Sequence, residues 1–160
     1  MKKLYLGLIL ATASSSALAD SLVYGGVATG QYTQDGDSGA TYTMHVGTGI
    51  LPFVGLEAGM TQFGEVTLDN GDKSKSTSYF VAARPSIDIG PIRVFAKGGL
   101  QKWSQEINGS KVDDGINVTY GVGADYFLSG PLTLGASYES TRINGKDVGN
   151  FMLNFSVNLL

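Results

Sequence analysis

Apolar and polar residues alternate with a period of two along most of the chain after residue 20. The C-terminal segment shows the pattern most clearly, because Phe151, Leu153 and Phe155 alternate with Asn150 and Asn154. This period predicts β-strands whose two faces meet different surroundings. Eight segments of roughly ten residues follow it: 22–33, 41–50, 54–61, 78–86, 92–101, 117–126, 132–139 and 150–159. An even number of strands of this length suits a barrel that spans a membrane.

The connections between these segments alternate in length. Short connections marked by Pro or Gly lie at 51–52, 88–91 and 128–131, and longer polar segments lie at 34–39, 64–76, 106–115 and 144–148. Short turns at one end and long loops at the other are typical of up-and-down outer-membrane barrels. The sequence therefore predicts an all-β fold, an eight-stranded antiparallel up-and-down transmembrane β-barrel, which closes without an exposed edge.

The first 19 residues have the three parts of a secretory signal peptide. Two lysines precede an apolar stretch over residues 4–11, and Ala17-Leu18-Ala19 comes just before Asp20. The apolar stretch is far shorter than the ~20 residues of a membrane-spanning helix. We therefore predict a signal peptide at 1–19, cleaved from one barrel domain at 20–160.

Charge and cysteine content narrow the possible functions. The chain of 160 residues has a net charge of −3, and loss of the two leader lysines takes this to −5. Such an acidic exported domain is a poor candidate for binding nucleic acid. The chain has no Cys, so we expect barrel closure, rather than disulfides, to stabilise it.

The cost of charge in a bilayer decides which face of the sheet points inward. Arg84 and Lys97 lie on the mainly polar face, where only Phe80 and Phe95 interrupt the pattern. A basic side chain facing lipid near the bilayer centre costs about 2–4 kcal/mol, so this face must line the lumen. A soluble lipocalin-type barrel is the alternative fold, but it should be apolar inside and polar outside.

Charged residues of both signs fall on the predicted inner face. An eight-stranded barrel is only wide enough for its side chains to fill it, so we expect these groups to pair across the lumen. A charged path for ions is the alternative interpretation. The predicted interior polar network comprises Glu57, Arg84, Arg93, Lys97, Asp125, Glu139 and His45.

Aromatic residues cluster at the ends of the predicted strands. Side chains of this kind form belts at the two membrane interfaces of outer-membrane barrels. Six lie next to the predicted long loops and two near the short turns. The predicted aromatic girdle comprises Tyr32, Tyr42, Tyr79, Tyr120, Tyr138 and Phe151 on the loop side, with Tyr24 and Tyr126 on the turn side.

Catalytic and metal-binding motifs are weak in this sequence. His45 is the only His, and a Ser/His/acid arrangement on it would suggest a lipid-modifying enzyme. No Gly-x-Ser-x-Gly motif accompanies it, so an interior, hydrogen-bonded His is the prediction. Acidic loop residues such as Asp113 and Asp114 match no metal loop. We therefore predict no catalytic residue, no cofactor and no metal site.

The residues of several strands resemble a known family. Tyr120–Tyr126 and Leu132–Glu139 resemble the sixth and seventh strands of small OmpX-like and OmpA-like barrels, and Phe95–Leu100 and Val54–Glu57 resemble their fifth and third. This resemblance implies a barrel in the outer membrane of a Gram-negative bacterium, with a periplasmic N-terminus. It also implies that the insertion machinery reads the C-terminal strand, although this chain ends in Leu160 instead of the usual aromatic residue.

A non-enzymatic role in structure or surface interaction is therefore the predicted function. Residues 64–76 and 106–115 are the candidate loops for a surface ligand, and outer-membrane lipid and lipopolysaccharide are the expected surroundings. A narrow porin-like channel is the first alternative, and a lipid-modifying enzyme is the second.

Overall fold

The computed structural model describes most of the chain after the predicted signal peptide. The described residues are 23–34, 37–51, 53–67, 73–107, 110–143 and 145–159. Residues 1–19, predicted as the signal peptide, lie outside them. No helix in the described part of the chain is long and apolar enough to span a membrane.

Eight antiparallel strands form a closed barrel in which each strand pairs with its neighbours in sequence and β1 pairs with β8. This confirms the predicted fold class. The strands are β1 (Val23–Gln34), β2 (Asp37–Leu51), β3 (Val54–Thr67), β4 (Lys73–Ile89), β5 (Ile92–Ile107), β6 (Ser110–Ser129), β7 (Leu132–Ile143) and β8 (Lys146–Leu159).

The strands extend well beyond their predicted limits at one end of the barrel. Most of residues 64–76 and 106–115, predicted as loops, belongs to paired strands, so the prediction of long loops was wrong. The prediction sought strands with an apolar outer face and a polar inner face, whereas these extensions are mostly polar and turn Phe63 and Trp103 inward. Backbone pairing aligns Glu106 with Lys75 on one side and Lys111 on the other.

Apolar side chains cover the outside of the barrel, and polar ones line the inside, as predicted for β2 to β8. β1 has the opposite orientation to the prediction. Tyr24 and Tyr32 are only 5% and 7% exposed, whereas Val27 is 50% exposed on the outer face. The assignment of these two tyrosines to the aromatic girdle was therefore wrong. Small residues occupy most of β1, so its hydropathy contrast was too weak to fix which face is inside.

Interior aromatic rings lie opposite glycines on neighbouring strands. A methyl group at Gly59 would clash with the backbone oxygen of Met44 and lie 2.7 Å from Cζ of the Phe80 ring, so a larger residue would displace both the strand and the ring. This pairing explains why Phe80 and Phe95 can interrupt the polar face. The cross-strand pairs are Tyr24 with Gly47, Tyr32 with Gly39, Phe80 with Gly59, Phe95 with Gly123 and Trp103 with Gly115.

Gly59→Ala should destabilise the barrel by about 1–3 kcal/mol, because the added methyl group overpacks the interior beside Phe80. Gly98→Ala is the matched control, since a methyl group there meets nothing within 4 Å on the outer face. It should leave stability unchanged or raise it by about 0.5–1 kcal/mol. Urea unfolding in lipid vesicles, followed through the single tryptophan, measures both. Equal effects of the two substitutions would contradict the role of the glycine–ring pairs.

Candidate functional site

The centre of the lumen holds a network of ion pairs that joins five strands. The Lys97 ammonium donates to Oε1 of Glu57 at 3.1 Å and also pairs with Glu139. Nη2 of Arg84 donates to Oδ2 of Asp125 at 2.5 Å, while its Nε lies 3.5 Å from Oε2 of Glu57. Charges therefore alternate in sign from β7 through β5, β3 and β4 to β6. The structure brings these five predicted residues together.

Aromatic rings pack against the two cations of this network. The Arg84 guanidinium lies 3.7 Å from the centroid of the Phe95 ring, and the Lys97 ammonium lies 4.3 Å from that of Phe80. A cation over a ring face is stabilised by about 0.5–2 kcal/mol, more when it is desolvated. The two apolar interruptions of the polar face thus take part in the charge network.

Tyr24 is a member of the network that sequence reasoning missed. Its hydroxyl donates to Oε2 of Glu57 at 2.8 Å, and its ring lies 5.2 Å from the Arg84 guanidinium carbon. The error in the orientation of β1 placed this residue in the girdle. Glu57 therefore accepts from Tyr24 and Lys97 and also pairs with Arg84, so its buried carboxylate is well satisfied.

Arg93 lies inside the barrel near the short-turn end. It donates two hydrogen bonds to the Asp88 carboxylate, at 2.7 and 3.0 Å, and lies 5.0 Å from the centroid of the Phe127 ring. Asp88 was not predicted, because it fell in the predicted turn 88–91. Its position directly across the hairpin from Arg93 is the signal that could have identified it.

His45 faces the lumen, with its Nε2 within 3.2 Å of the Ser156 hydroxyl. Its ring also meets Tyr24 edge-on, with 6.2 Å between centroids. Among the described residues, no carboxylate forms a hydrogen bond with this ring. The cavity that His45 and Ser156 help to line has a volume of about 20 Å³, which is room for about one water molecule.

A cluster of apolar side chains closes the lumen on the hairpin side of the ion pairs. Tyr32, Phe63, Trp103 and Val148 pack together and are at most 7% exposed. The rings of Tyr32 and Phe63 meet at 90°, with centroids 5.3 Å apart. We call these four residues the apolar plug. These inward side chains were not predicted from the sequence. Phe63 and Trp103 lie just beyond the predicted strands, and Val148 is the last residue of the predicted loop 144–148.

The remaining predicted girdle residues are exposed on the outer face of the barrel. Their exposed fractions range from 49% to 61%. Their contact with a membrane interface remains a prediction. They are Tyr42, Tyr79, Tyr120, Tyr126, Tyr138 and Phe151.

This combination of an apolar exterior and a charged, filled interior agrees with the sequence comparison. The sequence matches the family described as "Outer membrane protein beta-barrel domain" over residues 5–159. The chain belongs to this family. The family places the protein in the bacterial outer membrane. No curated protein matches the sequence significantly.

Solved structures of outer-membrane barrels share the fold at low sequence identity. Neisserial surface protein A is 15% identical with a TM-score of 0.70, and the alignment covers 86% of this chain and 96% of that one. The attachment invasion locus protein Ail of Yersinia pestis, solved with the heparin analogue sucrose octasulfate, is 17% identical with a TM-score of 0.63, covering 86% and 97%. The outer membrane enzyme PagL is 16% identical with a TM-score of 0.52, covering 85% and 99%. These similarities show the fold alone.

Lys97→Met should destabilise the folded barrel by about 3–5 kcal/mol, because it leaves Glu57 and Glu139 buried without their shared cation. Adding Glu139→Gln should restore part of this loss. Arg142→Met is the matched control, since the Arg142–Asp147 pair is exposed, and it should cause no measurable change. Urea unfolding in vesicles measures all three variants. A loss for Lys97→Met no larger than for Arg142→Met would show that the network contributes little.

Proposed function

We propose that this chain is a non-enzymatic outer-membrane barrel that does not conduct ions and acts through its outer surface and hairpin ends. The filled lumen is the observation that supports this proposal. The central ion pairs and the apolar plug lie one above the other. A solute would have to displace both a satisfied charge network and four packed apolar side chains.

The surface of the protruding hairpins is the proposed site of contact with other molecules. Asp114 and Asp147 are exposed there, and Asp113 is half-buried. Residues 64–76 and 106–115 each contain more acidic than basic side chains. A ligand for these hairpins should therefore present basic or neutral groups, unlike the sulfated sugar bound to Ail.

The outer face of the barrel is the proposed site of contact with lipid and lipopolysaccharide. Its exposed apolar side chains include Val81, Leu100 and Val122, each about three-fifths exposed. Such a surface is stable only against hydrocarbon. β8, whose outer face is apolar from Phe151 to Leu159, is the proposed contact for the barrel-insertion machinery.

Purified protein in planar lipid bilayers should show no steady single-channel conductance, because both layers close the lumen. Trp103→Ala serves as a second test: it opens the apolar plug but leaves the central ion pairs, so this variant should also remain silent. A porin in the same membrane controls for insertion. Steady openings of the wild-type protein would favour the narrow channel over our proposal.

Purified protein should release no fatty acid from phospholipid or lipopolysaccharide and should transfer none between them. The lumenal cavity beside the His45–Ser156 pair holds about one water molecule, which leaves no room for an ester inside the barrel. Chromatography of the lipids after incubation measures this. Hydrolysis or transfer that is lost in His45→Ala would overturn the non-enzymatic assignment.

A further inference from the structure

The outer face of the barrel has a groove along β1, at the seam where the barrel closes. Three successive outward residues of β1 are small, and each pairs with larger residues on both β2 and β8. Two hollows of about 690 and 430 Å³ lie along this line, and Val27, Met44, Met60 and Phe155 line both of them. The three rows, each read from β8 through β1 to β2, are Val157–Gly25–Val46, Phe155–Val27–Met44 and Leu153–Thr29–Tyr42.

Gly25 forms the floor of the groove although the space above it is free. A methyl group added there would meet no atom closer than 3.8 Å. Packing therefore does not require glycine at this position, unlike at Gly59. Glycine weakens a strand and often marks a place where a ligand approaches the backbone closely. The groove is thus deeper than the packing of the barrel requires.

The end of the groove nearest the hairpins is polar. Thr29 and Gln31 are exposed on the outer face. They pair across the strands with Tyr42 and Phe151, which belong to the predicted girdle. Within the described part of the chain, neither side chain has a hydrogen-bond partner. At the depth of a membrane interface, both groups can bond to the carbonyl or hydroxyl groups of a lipid.

The outer face of β1 from Gly25 to Gln31, which runs two residues past the hollows, spans about one leaflet of a bilayer. Six residue steps separate Gly25 from Gln31, about 20 Å along the strand. With a strand tilt near 45°, this is roughly 14 Å of depth, about half of the ~30 Å hydrocarbon core. A single acyl chain whose carbonyl lies beside Gln31 is therefore long enough to extend through both hollows to Gly25.

We propose that this groove binds one acyl chain of lipopolysaccharide, with the carbonyl of that chain hydrogen-bonded to Gln31. The inference rests on the proposed function, which places lipopolysaccharide around the barrel. Its acyl chains carry amide or ester carbonyls and hydroxyl groups, and these match the amide and hydroxyl at the polar end.

Binding can be counted by native mass spectrometry on protein refolded from urea into detergent and mixed with rough-type lipopolysaccharide. The wild type should retain one molecule per barrel. Val27→Trp fills the groove and should lower retention at least tenfold, and Gln31→Leu should lower it several-fold. Val81→Trp, at an exposed position on β4, is the matched control and should bind like the wild type. Heat-modifiable gel mobility shows whether each variant is folded.

Equal retention by Val27→Trp and the wild type would overturn the groove as the site. Equal competition by phosphatidylethanolamine would overturn lipopolysaccharide as the occupant, and a dimer lost only in Val27→Trp would assign the groove to a second copy of the chain. The proposed function fails separately, through conductance or hydrolysis measured on the same preparations. A barrel that conducts ions but loses lipopolysaccharide in Val27→Trp would retain the groove and refute the closed barrel.

Discussion

An eight-stranded barrel in a bilayer has an apolar exterior and an interior that its own side chains must fill, and every charge inside needs a partner within the lumen. Glu57 is the centre of this network, because it pairs with both Lys97 and Arg84 and accepts a hydrogen bond from the Tyr24 hydroxyl. Glu139 and Asp125 extend the same chain of charges to β7 and β6. Removal of one member leaves a buried charge without its partner, so the network acts as a unit.

Glycine supplies the room that this packing needs. A ring beside a cation must lie flat within a narrow lumen, and a glycine opposite the ring leaves that space. Phe80 and Phe95 thus lie over glycines and under Lys97 and Arg84. On the outer face, packing does not require glycine at position 25, and Gly25 leaves a hollow that no protein atom fills.

Alternation predicted the barrel, its strand order and the inward direction of Arg84 and Lys97, because lipid and lumen impose opposite demands on the two faces of a strand. The prediction from alternation was wrong where the expected difference in polarity between the two faces of a strand is absent. β1 is made largely of small residues, so the orientation of Tyr24 depended on contacts with distant strands. The hairpin ends are mostly polar and have their few apolar side chains, such as Phe63 and Trp103, inside, so they were taken for loops. Which carboxylate meets which cation depends on register and barrel tilt, as Asp88 with Arg93 shows, and neither can be obtained from the spacing of residues alone.

Because side chains fill the lumen, the outer surface is the proposed site of function. Inside, the charges of the central network are paired, and the cavity among them holds about one water molecule. Outside, seven strands offer lipid a mostly apolar wall, whereas β1 offers a hollow with a polar end formed by Thr29 and Gln31. The inward turn of Tyr24 and Tyr32 creates this difference, because it leaves small side chains on the outer face of β1. The orientation of β1 thus adds Tyr24 to the interior network and leaves small side chains along the exterior groove. The same orientation therefore contributes both to the stability of the barrel and to the shape of its outer surface.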